Sequence, residues 1–152
     1  MNLKNSIKSL LSTLIIFLSM LNVNVQAESV NVPQPTDNNE LQLLYRVVSL
    51  EAYNHHDEGI QAVASTIVNR VLSDDFPNTY TEVVSQNGQF ATYYRATNWF
   101  AVDENVIKNV DYVLENGVTH NLRFFWSEWY YINSGRWDDE AVNIGGNIFF
   151  EF

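Results

Sequence analysis

Residues 50 to 59 read "LEAYNHHDEG" and hold three acids and two of the chain's three histidines. Such residues offer two chemistries, metal binding and acid catalysis. His55 and His56 are adjacent, and neighbours on a helix or strand point apart, whereas helical ligand pairs use spacings of three or four residues. The third histidine, His120, would have to be brought in by the fold. The pair therefore reads as loop histidines ahead of a helix, and no metal or other cofactor is expected. The chain has no cysteine, which removes thiolate zinc sites and a cysteine nucleophile. Serines are plentiful, but no G-x-S-x-G elbow marks one as a nucleophile. Glu51 remains as a lone candidate acid, with surface decoration as the alternative that periodicity alone leaves open.

The elements around Glu51 decide how it is presented. Asp37, with Glu40 three residues on, can cap a helix starting at Thr36 or Asp37, whose apolar positions are Leu41, Leu44, Tyr45, Val48 and Ala52. At 100° per residue, Glu51 falls at the margin of that stripe beside Leu44 and Val47, where its carboxyl would be partly desolvated. Desolvation is how folds keep a carboxyl protonated near neutral pH, as a proton donor to a glycosidic oxygen requires. A second helix carries Ile60, Val63, Ala64, Ile67, Val68 and Val71 on one face. Asp57 and Glu58 stand at its N-terminus, where the helix dipole stabilises negative charge by roughly 0.3 to 1 kcal/mol. Thr79 with Glu82 forms a capping box for a short third helix, and Asp103 and Gly117 bracket a fourth. Beyond it, "LRFFWSEWYYI" and "GGNIFFEF" are aromatic and β-branched, with Gly145-Gly146 able to turn the chain, so a small antiparallel sheet is expected.

The first residues are a separate matter. Lys4 and Lys8, an apolar run from Leu10 to Leu21 and Val25-Gln26-Ala27 have the pattern of an export signal cleaved after Ala27, so residues 1–27 are read as a signal peptide. The run is too short for a membrane anchor, which needs roughly 20 apolar residues. Residues 28–39, with Pro33 and Pro35, read as a short linker, and residues 40–152 as one domain able to bury its own core. The full chain carries a net charge of −10, and loss of Lys4 and Lys8 with no acid leaves −12. That surface repels phosphate backbones, which argues against nucleic-acid binding. The aromatics crowded between Phe124 and Trp137 either fill a core or floor a groove for sugars or peptides.

The order of motifs is more specific than any one residue. Glu51-Ala52, Glu58-Gly59, Asn69-Arg70-Val71, Phe76-Pro77-Asn78-Thr79 and Gln89-Phe90 follow one another, then "NVIKNVDYVLENG", "RFFW", Trp137 and "IGGNIFF". This series resembles the cell wall hydrolase family that includes the spore-cortex-lytic enzymes, over nearly all of the chain after the signal. The resemblance implies an α+β, lysozyme-like domain, mostly helical with a small antiparallel sheet toward the C-terminus. It also implies an enzyme acting on peptidoglycan glycan strands without a cofactor; the signal makes it exported, and a monomer is expected. The implied chemistry is lytic transglycosylation of the β-1,4 bond between N-acetylmuramic acid and N-acetylglucosamine, with Glu51 as general acid and base. Hydrolysis would require a second carboxylate, for which Glu58, Asp57 and Glu128 are the candidates. Glu58, Gln89, Phe90, Trp126, Trp137 and Asn147 are the implied substrate-binding positions, with core packing as the alternative for Gln89, Phe90, Trp126 and Trp137, and Asn69 and Arg70 brace the fold. The sequence departs from the family pattern at His55 and its neighbours, at Trp126-Ser127 and at Asn147, which stands where a histidine is usual. These departures leave a secreted glycan-binding module without activity as the rival reading.

Overall fold

The structure is a computed structural model that describes residues 31–52 and 56–152. The proposed signal peptide and His55 lie outside the described residues. Helix α1 (Asn38–Glu51) starts where its cap requires, with the Asp37 side chain accepting from the Glu40 N–H at 2.9 Å. Glu40 does more than box the cap. Its buried carboxylate accepts from the Thr36 N–H and hydroxyl and from the Thr81 N–H, tying the start of α1 to the third helix. Residues 32–36, expected as linker, lie against the domain: Val32 is buried, the Pro33 carbonyl accepts from the Tyr80 hydroxyl, and the Gln34 amide donates to the Leu114 carbonyl.

Helix α2 (Asp57–Val71) buries its whole apolar stripe and also Ser65, Thr66 and Arg70. Around it pack α1, α3 (Tyr80–Ser85) and α5 (Glu104–Asn116), the last capped by Asp103 and ended at Gly117 with φ 99°. Thr79 caps α3 by accepting from the Glu82 N–H, as its capping box predicts. A four-residue helix, α4 (Tyr93–Ala96), has too few residues for a period and was not anticipated.

The polar residues of α2 recruit the segment that leads into the sheet. Ser65 accepts from the Thr119 N–H, Asn69 donates to the carbonyls of His120 and Leu122, and Arg70 Nε donates to the Arg123 carbonyl at 2.7 Å. The Arg70 guanidinium lies 5.0 to 5.1 Å from the ring centres of Phe76, Phe90 and Phe124, and burial pushes its pKa down to about 10. It therefore stays charged at neutral pH, with three ring faces standing in for water. Asn69 and Arg70 brace the fold as expected.

The sheet has strand order β1 (Phe124–Ser127), β3 (Asn147–Phe150), β2 (Val142–Ile144), all antiparallel. The expected strand from Leu122 to Ile132 is half right. It ends at Ser127, whose hydroxyl caps α6 (Glu128–Asn133), so "EWYYIN" is helical despite its β-prone composition. A cap and an acid in the first turn outweigh propensity here. Beneath α6, Tyr131, Ile148 and Phe150 form a second small core with Phe124 and Trp126. The whole is the anticipated α+β domain, mostly helical with a small sheet toward its C-terminus.

Gly145 and Gly146 turn β2 into β3 with φ of 60° and 89°. The turn rests on Gly59 in the first turn of α2, so closely that a Cβ on Gly145 would stand 2.7 Å from the Gly59 Cα. Gly145→Ala should therefore cost about 1 to 3 kcal/mol from positive φ together with backbone collision. Gly88→Ala, with φ +77° but open space around it, should cost less; denaturant titrations of the two variants compare them. His120 supplies a second expectation. Its Nδ1 accepts from the Leu122 N–H, so Nε2 carries the proton given to the Ala62 carbonyl, and burial lowers its pKa below the ordinary value of 6.5. A base depressed in the folded state contributes stability above the unfolded pKa that is lost as pH falls below about 6.5 through the folded value. Melting temperature should fall between pH 7 and 5 in the parent, and less in His120→Gln.

Candidate active site

A cleft of about 350 Å³ opens where the carboxyl end of α1, the loop before α4 and the junction of β1 with α6 meet. Leu50, Glu51, Gln89, Ala91, Phe125, Trp126, Ser127, Tyr130 and Asn147 line it. Glu51 is the last residue of α1 and half-buried, at the edge of the apolar stripe as its helical angle requires. Its Oε1 accepts from the Thr92 hydroxyl at 2.6 Å and from the Thr92 N–H at 3.3 Å. Among the described residues none donates to Oε2. A proton on this carboxyl would therefore sit on Oε2, because Oε1 already receives two donors.

Four of the seven site residues read from the sequence meet in this cleft: Glu51, Gln89, Trp126 and Asn147. Gln89 stands exposed on the loop between α3 and α4. Trp126 packs edge-to-face against Tyr130, ring centres 4.9 Å apart. Asn147 reaches the end of α1 directly, its amide donating to the Glu51 carbonyl at 3.2 Å. The other three do not line the cleft. Phe90 is 4% exposed, between the Arg70 guanidinium and the Phe125 ring, and supports the cleft wall from behind. Trp137 is 85% exposed on the connection between α6 and β2, its indole N–H donating to Asp139. Glu58 is exposed in the first turn of α2.

The candidates for a second carboxylate stand elsewhere or are occupied. Asp57 accepts from the side-chain amides of Asn105 and Asn109, and these bonds hold its carboxyl below the usual range. It lines a different depression, of about 720 Å³, with Gln61, Ile107 and Tyr112. That depression is larger but lacks Glu51 and every other site residue read from the sequence. Glu128 accepts from the Asn143 amide and does not line the Glu51 cleft. Glu51 is the one carboxylate among the described residues that line it.

Thr92 and Tyr130 were not foreseen. Thr92 lies three residues beyond Gln89 and 41 from the acid it holds, and only folding pairs the two. Tyr130 belongs to the segment read as strand; on a helix starting at Glu128 it turns toward Trp126 instead.

Comparison with known proteins agrees with the motif order. The catalytic domain of the SleB protein from Bacillus cereus matches with a TM-score of 0.62 at 26% identity, covering 79% of this chain and 95% of that one. The catalytic domain of the germination-specific lytic transglycosylase SleB from Bacillus anthracis gives 0.64 at 25% identity, covering 78% and 98%. A spore cortex-lytic enzyme from Oceanobacillus iheyensis is 38% identical over 71 residues, 47% of this chain. Those residues are 26% of that protein, so the chain spans about a quarter of the curated relative it matches. Residues 54–150 match the cell wall hydrolase family, a range that contains Gln89, Thr92, Trp126, Tyr130 and Asn147 and begins three residues after Glu51. With well over half of its length matched from the start of α2 to the end of β3, the chain belongs to the cell wall hydrolase family.

Proposed function

We propose that the chain cleaves peptidoglycan glycan strands as a lytic transglycosylase, with Glu51 as its general acid and base. The observation that carries this reading is a single half-buried carboxylate in a cleft walled by Phe125, Trp126 and Tyr130, held by one oxygen and open at the other. A glycosidic oxygen leaves poorly unless protonated, and Oε2 is the atom able to give that proton to the β-1,4 linkage between N-acetylmuramic acid and N-acetylglucosamine. As the C–O bond breaks, positive charge grows on the muramic ring and the carboxyl becomes a carboxylate beside it. The carboxylate then takes the proton of the muramic C6 hydroxyl, whose oxygen bonds to the anomeric carbon. The products are a 1,6-anhydro end and a free 4-hydroxyl, and Glu51 is protonated again, so atoms and charge balance with one acid.

Hydrolysis would ask for a second carboxylate roughly 5 to 9.5 Å away, to act as nucleophile or to activate water. The cleft lining offers none among the described residues, which favours the one-acid route. Aromatic walls suit sugar faces, and Gln89 and Asn147 offer amides to hydroxyl and acetamido groups. The N-terminal pattern supports export to the cell envelope, where this substrate lies. No helix among the described residues is long and apolar enough to cross a membrane.

Glu51→Gln keeps the shape and removes the proton. Release of soluble fragments from purified wall should fall by roughly 100- to 10,000-fold with folding intact. Undiminished release would remove Glu51 from the chemistry. Mass spectrometry of the parent's products separates the routes, since anhydro ends are lighter by one water than hydrolytic ends. A parent that binds glycan and releases nothing would leave the binding module. Thr92→Val should lower kcat by up to about tenfold, the scale of one hydrogen bond, while Thr92→Ser keeps most of the activity. Equal rates in Val and Ser variants would show that Thr92 does not orient the acid.

A further inference from the structure

Asn147 has an unusual pair of faces. It is 5% exposed, stands on β3 opposite Ser127 of β1, and lines the Glu51 cleft. Its Nδ2 donates to the main-chain carbonyl of Glu51, 96 residues away in sequence. That bond fixes the amide's orientation. A flip would set Oδ1 against the Glu51 carbonyl oxygen, two acceptors with no proton between them. Oδ1 therefore points the other way. No described residue donates to it, and Asn147 lines the cleft, so Oδ1 is left for what enters there. Burying a polar side chain is costly unless its groups are satisfied, and here one group is satisfied by protein and the other is left for what enters the cleft.

We propose that Asn147 is a specificity-determining residue whose Oδ1 accepts a hydrogen bond from a donor on the bound glycan. Resting on the peptidoglycan reading above, this means an acetamido N–H or the C6 hydroxyl of the sugar beside Glu51. The same amide is bonded to the last carbonyl of the helix that ends in Glu51, so it joins substrate recognition to the placement of the acid. Where Oδ1 meets the ligand, it discriminates against groups that only accept, such as an ester or ether oxygen at the same position, because two lone pairs then face each other.

The test measures binding in the Glu51→Gln protein, which cannot turn over. Calorimetry compares a β-1,4 tetrasaccharide of alternating N-acetylglucosamine and N-acetylmuramic acid with two analogues. In one the acetamido N–H is replaced by oxygen; in the other the C6 hydroxyl is replaced by hydrogen. Asn147→Ala in this background should weaken binding of the natural tetrasaccharide by roughly three- to tenfold, the worth of one neutral hydrogen bond. One analogue should bind the Glu51→Gln protein more weakly by the same factor, yet show no further loss against Asn147→Ala. That coupling identifies the donor, and a merely structural role of Asn147 would not produce it. Equal affinities of the Asn147→Ala and parent proteins would overturn the proposal. So would losses from both analogues that are the same with and without Asn147. Thermal melts run alongside identify loss of fold, and Asn147→His, which retains a donor and an acceptor, serves as a second variant with the same readout. The proposed function fails by a different measurement, fragment release by Glu51→Gln, which leaves this binding comparison readable.

Discussion

A buried polar group without a partner costs about 1 to 3 kcal/mol, and helix α2 carries Ser65, Thr66 and Arg70 into the core with Asn69 beside them. The segment that leads into the sheet meets most of that demand, with Arg70 Nη1 left to the rings around it. Residues 119–123 run along α2, and the Thr119 N–H and the carbonyls of His120, Leu122 and Arg123 find partners on it without belonging to a strand. Because the segment is tied down up to Arg123, β1 begins at a fixed place and height. Arg123 adds its own ties, pairing with Asp75 and Glu151 and so linking the end of α2 to the end of β3. These two pairs are partly exposed and contribute little energy singly; their effect is on position.

From that placement the cleft follows. With β1 fixed, Phe125 and Trp126 stand across from the carboxyl end of α1, and β3 beside them delivers Asn147 to the Glu51 carbonyl. The last carbonyls of a helix lack partners within it, so the bond from Asn147 satisfies one of them and docks the sheet on the helix at once. Thr92 approaches from the other side and fixes the carboxyl itself. Backbone and side chain of the acid are thus held by different elements, α1 and its neighbours contributing rigidity that a loop-borne acid would lack.

The helices were legible because caps and periods are local. Asp37, Thr79, Asp103 and Gly117 each mark their boundary with a residue whose side chain or φ does the work where it stands. Glu51 was legible for the same reason, since a helical angle follows from counting. Thr92 and the two-sided role of Asn147 were not legible, because they arise from contacts 41 and 96 residues apart that no local pattern encodes. Composition left open what packing or capping decides. Phe90 and Trp137, both aromatic, were open between core and groove, and one is sealed behind the cleft while the other stands in solvent. "EWYYIN" is β-prone by content, but Ser127 starts a helix there.

The contact between Gly59 and Gly145 puts two main chains together with no side chain between them. A slip that brought Ile144 or Asn147 to that point would push a Cβ into space that admits only a hydrogen, and of the neighbouring residues Gly146 alone could stand there without one. The correct strand register is thus checked against a surface outside the sheet. A short hairpin has few cross-strand bonds with which to reject its neighbours in register. Here the first turn of α2 supplies part of the rejection, refusing the registers that set a side chain against Gly59.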